Sequence, residues 1–338
     1  MPKNEFAGRK IAVIGAGAWG TTLADLIGQQ DYIVRLWCFE PEVAQQIKRG
    51  RENEIYLRGV SLSENIIPTS ELEEALADVG LVILVVPSQH FRDVASKCRP
   101  FVSPKSYALS ASKGFEIETF KRMTEVLAEE WGGLDYKAGV LSGPNLSREI
   151  SAHKPAVTLV ASENEELVRT FQHLLSCRHF RVYGGTDVTG TELGGALKNI
   201  YAIAAGVAQG FNFGNNTLAS LITRGLVEMV RLGVTLDAKV ETFYGASGLG
   251  DLICTAFSEL SRNNYVGRQL AGGEKLDGIL AGMNHIAEGV YTTKAVHKHL
   301  KNAGIEMPIA EAVYSVLFEG FDPLEGVHAL MGRGLKTE

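Results

Sequence analysis

Short apolar, β-branched runs alternate with stretches of helical periodicity through the first half of the chain. Residues 10–14, 32–39, 81–86, 106–110 and 138–141 read as strands buried on both faces. The stretches 19–29, 41–49, 72–77, 91–97 and 119–130 read as helices between them. Such β/α alternation predicts a doubly wound α/β sheet. Two further runs, 156–160 and 180–183, flank a helical stretch at 165–175 and extend the sheet. After about Asp187 the strand signals stop. Helical patterns at 193–208, 217–232, 238–244, 264–271, 290–303 and 308–318 predict an all-α second domain, so the expected division is 1–188 and 189–338.

Composition supports two cores rather than one. The 338 residues exceed the usual size of a single hydrophobic core. A hydrophobic share of 45% with 21% charged residues suits a folded globular chain. The formal net charge of -6 advertises no nucleic acid as partner. Four cysteines, Cys38, Cys98, Cys177 and Cys254, form no CxxC pair and suit reduced thiols in the cytoplasm. The charged start followed by Gly15 and Gly17 fits no signal peptide, and the dense apolar run Leu81 to Val86 is too short for membrane insertion. No metal is expected, since the eight histidines include no HExxH. The apolar helices leave a homodimer open.

Gly15-Ala16-Gly17-Ala18-Trp19-Gly20 places GxGxxG at the end of the first strand and the start of the first helix, the Rossmann-like context that makes the motif specific. Gly15 allows the tight turn, Gly17 lets the backbone approach a pyrophosphate, and Gly20 permits close helix-to-strand packing. Glu40 follows the last glycine by about twenty residues, where an acid accepts from the adenosine ribose hydroxyls. A ribose contact there favours NAD over NADP, whose 2'-phosphate Glu40 would repel unless Arg35, Lys48 or Arg49 compensated. Glu40 as a cap on the helix starting at Pro41 is the alternative. Phe91, after another strand exit, reads as flanking the cofactor or as core.

A dinucleotide fold does not define a substrate, so four further segments are candidates for the chemistry. Ser110 to Gly114 puts Lys113 at a strand exit. Ser142-Gly143-Pro144-Asn145 leads from another strand toward a helix whose amides can bind an anion. On the helix from Leu193, Lys198 lies about 140° from Leu193 of the apolar stripe, and Gly194 and Gly195 one turn back read as clearing room around it. Ser247-Gly248-Leu249-Gly250-Asp251 brings an acid after two glycines, and Ser261, Arg262 and Asn263 combine hydroxyl, guanidinium and amide donors suited to phosphate, or else begin an ordinary capped helix.

GAGAWG, the SxSKG segment at Ser110 to Gly114, SGPN, LGGALKN, GLGDL, SRN and IAEGVYT, in this order, resemble the NAD(P)-dependent glycerol-3-phosphate dehydrogenases of the bacterial soluble type over nearly the whole chain. The resemblance implies Lys198 as proton acceptor, with Lys113, Gly143, Asn145, Asp251, Ser261, Arg262 and Asn263 around a small phosphorylated three-carbon substrate. It implies Ala18, Trp19, Phe39, Phe91, Lys113, Ser147, Arg262, Ile286 and Glu288 as cofactor positions. Phe39-Glu40 departs from the Arg or His usual in the bacterial pattern and is similar to NAD-specific eukaryotic relatives; Asn145 stands for the more usual Ser or Thr, and Ser147 for Ala.

The expected reaction is hydride exchange between sn-glycerol 3-phosphate and dihydroxyacetone phosphate, which the resemblance places at the entry to phospholipid synthesis. Lys198 would move the hydroxyl proton, its pKa lowered by burial or by Lys113 and Arg262, while Asp251 holds the relay. A β-hydroxyacid dehydrogenase of similar build is the alternative within enzymes. A nonenzymatic dinucleotide sensor is the alternative outside them, but it leaves the SRN segment and Lys198 without a task.

Overall fold

The computed structural model describes residues 10–283 and 286–334. The chain divides into two compact units, one of residues 10–112 with 123–191 and one of residues 113–122 with 192–334. The first contains, in order, β1 (Lys10–Ile14), α1 (Ala18–Gly28), β2 (Val34–Trp37), α2 (Pro41–Gly50), β3 (Ile66–Thr69), α3 (Leu72–Leu76), β4 (Val79–Leu84), α4 (Phe91–Cys98) and β5 (Ser106–Ser110). After the excursion to the second unit come α5 (Met123–Glu130), β6 (Tyr136–Ser142), α6 (Ser147–Ser151), β7 (Ala156–Ala161), α7 (Glu165–Leu175) and β8 (Phe180–Gly185).

Among the described residues eight strands form one sheet in the order β3-β2-β1-β4-β5-β6-β7-β8, with β6 and β7 antiparallel and the other neighbours parallel. The chain winds outward from β1 to β3 and then returns to lay β4 on the other side of β1. That reversal opens a crevice at the carboxyl ends of β1 and β4, where such sheets bind ligands. Separate apolar clusters cover the two faces. One gathers Leu23, Ile27, Ile47 and Phe171; the other gathers Leu76, Phe91, Leu127 and Trp131. The strands read as near-continuous apolar runs because both of their faces are buried. The strand β3 is the one the pattern did not predict. It has four residues, contains Pro68, and lies at the sheet edge, where proline is tolerated.

The second unit is helical: α8 (Val188–Gly210), α9 (Asn215–Thr235), α10 (Val240–Phe243), α11 (Asp251–Phe257), α12 (Arg262–Ala271), α13 (Leu276–Ala281), α14 (Glu288–Ala303), α15 (Pro308–Phe318) and α16 (Pro323–Met331). Its single apolar cluster includes Leu197, Tyr201, Phe243, Val296 and, from the excursion, Phe115. No described helix is long and apolar enough to cross a membrane.

A single cut after residue 188 differs from this division, which assigns residues 113–122 to the helical unit. The expected helix 119–130 begins only at Met123. Phe120 instead has φ +59°, Phe115 pairs with Arg122, and the Phe120 ring stacks between Phe115 and His299. Lys298 to Glu118 at 2.7 Å and Arg122 to Glu192 at 2.8 Å fasten the segment at its middle and its end. The left-handed backbone of a bulky aromatic is unfavourable by itself, and the two ring stacks accompany it.

Candidate active site

In the first unit the glycine-rich turn is shaped by close approach. Gly15 has φ +117°, and a Cβ there would fall 2.4 Å from the Val85 carbonyl oxygen at the end of β4. A Cβ on Gly20 would lie 1.9 Å from the Gly15 oxygen, so α1 can start only if both are glycine. At Gly17 a Cβ would meet nothing within 4 Å. The open side of the turn is the space a pyrophosphate needs, over the unsatisfied first amides of α1. The first turn of α1 carries no acidic residue to oppose that charge. Among the described residues the half-buried Trp19 has its indole Nε1 without a hydrogen-bond partner. These features fit a dinucleotide, which Gly15, Gly17, Ala18, Trp19 and Gly20 would hold.

At the end of β2, Phe39 is 72% exposed, an aromatic face beside Trp37. Glu40 occupies the N-cap position of α2, but its side chain makes no capping hydrogen bond. It accepts instead from the Tyr56 hydroxyl at 2.7 Å, so the capping alternative does not describe the carboxylate. Phe91 is fully buried among Val86, Val94 and Ala95. Its ring packs in the core, the second of the two readings open for it. Gly143 has φ +157°, and a Cβ there would crowd the Thr158 Cα at 3.0 Å. Asn145 Nδ2 donates to Thr158 Oγ1 at 3.0 Å, while Oδ1 is buried with no partner among the described residues. Ser147 begins α6, a helix of only five residues.

Three of the expected residues converge in the second unit. Asp251, 2% exposed at the start of α11, accepts from Lys198 Nζ at 2.9 Å on Oδ1 and from Lys113 Nζ at 2.5 Å on Oδ2. Thr255, one turn further along α11, accepts from Lys198 Nζ and donates to Asp251 Oδ1 at 3.1 Å. Burial works against the charge on Asp251, yet the ammonium groups of Lys113 and Lys198 outweigh it and hold the carboxyl below its ordinary range. Burial brings Lys198 down to about 8, opposed by Asp251 and assisted by Lys113. Asp251 is therefore held as a carboxylate that accepts from both lysines and from Thr255.

Of the two glycines one turn before Lys198, Gly194 has a packing reason, and so does Gly248 before Asp251. A Cβ on Gly194 would lie 2.7 Å from the Ser247 carbonyl oxygen, and one on Gly248 would lie 2.1 Å from the Phe243 oxygen. They let α8 abut the π-type turn Ala246–Gly250, which delivers Asp251 to Lys198.

At α12, Ser261 is the N-cap, its Oγ accepting from the Asn264 amide at 3.2 Å, so the capping alternative holds while the hydroxyl proton stays available to donate. Arg262 opens α12; the surrounding chain partly desolvates its guanidinium and lowers its pKa, opposed by the charge of Glu288 at the start of α14. The Asn263 side chain is largely committed: Nδ2 donates to Asn199 Oδ1 at 2.8 Å and Oδ1 accepts from the Gly289 amide at 2.9 Å. It ties α12 and α14 to the residue after Lys198. Ile286 is half-buried just before α14.

Thr255, Asn199 and Tyr56 were missed in the sequence. For Thr255 the signal was its i+4 spacing from Asp251, readable only once α11 is known to be a helix. Asn199 adjoins Lys198 in LGGALKN, and Tyr56 carries no local signal.

Residues 10–168 match the family model of the NAD-dependent glycerol-3-phosphate dehydrogenase N-terminus, and residues 187–328 that of its C-terminus. A protein of Syntrophotalea carbinolica named glycerol-3-phosphate dehydrogenase [NAD(P)+] is 45% identical over 97% of this chain and 99% of its own length. One of the same name from Corynebacterium diphtheriae is 44% identical over 97% and 100%. The crystal structure of glycerol-3-phosphate dehydrogenase from Coxiella burnetii superposes with a TM-score of 0.92 at 35% identity, covering 96% of this chain and 99% of that one. With both halves of the family matched and the relatives aligned nearly end to end, the chain belongs to the NAD-dependent glycerol-3-phosphate dehydrogenases.

Proposed function

We propose that the protein catalyses reversible hydride transfer between sn-glycerol 3-phosphate and dihydroxyacetone phosphate with NAD or NADP. The observation that carries the reading is the buried Lys198 amine, held by Asp251 and Thr255 beside Lys113. Bound NAD(P) supplies the hydride acceptor or donor.

The residues of the chain handle the proton and the phosphate. An ammonium has three hydrogens, and Asp251 and Thr255 take two of those on Lys198. In reduction the third is given to the carbonyl oxygen of the ketone as it becomes a hydroxyl. In oxidation the neutral amine keeps its hydrogens on Asp251 and Thr255 and turns its lone pair to the hydroxyl proton. Lys113 adds positive charge where the oxygen becomes negative. The Ser261 hydroxyl, the Arg262 guanidinium and the first amides of α12 bind the phosphate, and Asn263 fixes α12 against Asn199. Gly143 and Asn145 complete the substrate contacts; Ser147, Ile286 and Glu288 complete those to the cofactor. These roles are supported by family membership and by the geometry within each unit.

The same reading includes a cytoplasmic location, supported by four cysteines that form no CxxC pair, and supply of glycerol 3-phosphate to phospholipid synthesis, supported by family membership. It also includes a homodimer, supported by exposed apolar side chains such as Val234, Phe257 and Leu260. The test of the reaction is NADH consumption on adding dihydroxyacetone phosphate, with Lys198→Ala expected to lose about 10²- to 10⁴-fold in kcat. Full activity in that variant would remove Lys198 from its role.

A further inference from the structure

A chain of hydrogen bonds joins the glycine-rich turn to Glu40 through the segment between α2 and β3. Arg51, with φ +51°, ends α2 and turns the chain into this segment. Asn53 is fully buried. Its Nδ2 donates to the Ala16 carbonyl at 2.8 Å and to Thr21 Oγ1 at 2.9 Å, and its Oδ1 accepts from the Tyr56 amide at 3.0 Å. The Tyr56 hydroxyl then donates to Glu40 Oε1. Leu57 and Leu62, both buried in the core, anchor the segment, and the Ser63 amide donates to Asp25 Oδ1 at 2.8 Å. Asn53 therefore holds Tyr56 at a fixed height above the turn, and Tyr56 holds one oxygen of the Glu40 carboxylate.

We propose that Tyr56, held in place by Asn53, is the positioning residue that makes Glu40 discriminate NAD from NADP. This deepens the reading that the first unit binds a nicotinamide dinucleotide, and rests on it. A carboxylate free to rotate can swing away from a 2'-phosphate, and its repulsion is then screened by water. A carboxylate pinned through Oε1 keeps its charge in one place and presents Oε2 as a preoriented acceptor for ribose hydroxyls. Tyr56 stays a donor throughout the working pH range, because burial together with the bond to Glu40 and its charge pushes the phenol up to about 12. The selectivity thus lies in the loop as well as in the acid at the end of β2.

The test is calorimetric titration of NADH and NADPH into the whole protein with no ketone present, with unfolding midpoints of each variant read alongside. The wild type should bind NADH more tightly. Tyr56→Phe should raise the NADH Kd about fivefold, the effect of one hydrogen bond, and lower the NADPH Kd or leave it unchanged, since the released carboxylate can swing away from the 2'-phosphate. Glu40→Gln should remove the preference, and Tyr56→Phe added to Glu40→Gln should cost nothing more, since Tyr56 acts through the carboxylate. Equal losses for the two dinucleotides overturn the proposal, and so does a Tyr56→Phe effect that persists undiminished in the Glu40→Gln background. A wild type showing these ratios without ketone turnover would overturn the proposed reaction and leave this inference standing.

Discussion

At Lys198 opposing effects come close to balance, and the balance sets a measurable pH. Burial and Lys113 favour the neutral amine, Asp251 favours the ammonium, and the group comes down to about 8. Oxidation needs the amine and reduction the ammonium. In kcat/KM, glycerol 3-phosphate oxidation should therefore rise as pH passes through about 8, while dihydroxyacetone phosphate reduction falls. Asp251→Asn removes the charge that raises Lys198 and should move both limbs to lower pH by about one unit or more. Limbs that stay in place in the pH–rate profiles would assign them to another group. Lys198 and Asp251 were legible because each sits in a glycine-flanked segment with no other explanation for its glycines. The reason for those glycines was not legible, since Gly194 answers to Ser247, a residue distant in sequence.

Among the elements, α9 carries a buried acid with a structural task. Glu228, 3% exposed, accepts from the Ile309 and Ala310 amides at the start of α15 and from the Tyr201 hydroxyl on α8. Burial pushes it up to about 7 against those donors. The folded state then keeps a proton that the unfolded chain releases once pH exceeds about 4.5, so rising pH favours unfolding until about 7, where both states are ionised. Stability should fall by up to roughly 3 kcal/mol across that window. Thermal midpoints of the wild type and Glu228→Gln from pH 5 to 8 check this: the variant should lack that part of the slope, and parallel curves would contradict it. Strands buried on both faces and long amphipathic helices were readable from periodicity. The strand β3 was hidden by its proline, and α11 by the glycines before it, because edge position and helix-to-turn packing leave no periodic trace.

For the whole molecule, the two units have separate apolar clusters, and the dinucleotide cradle belongs to the first. Saturating NADH, at about a hundred times its Kd, should add roughly 2.7 kcal/mol and raise the thermal midpoint by about 5 to 10 °C. A midpoint indifferent to NADH would contradict the fit at the glycine-rich turn. The division in two was foreseeable from the end of the strand signals, but the excursion at 113–122 was not, because everything that holds it comes later in the chain. Glu118 lies 180 residues before Lys298, its ion-pair partner. At synthesis rates of 5 to 20 residues per second, roughly 10 to 40 s separate their emergence from the ribosome. Until then the stretch bearing Phe115, Phe120 and Lys113 lacks its last anchor. The nascent first unit must close around a dangling aromatic loop, a feature that chaperones engaging the growing chain would be expected to find.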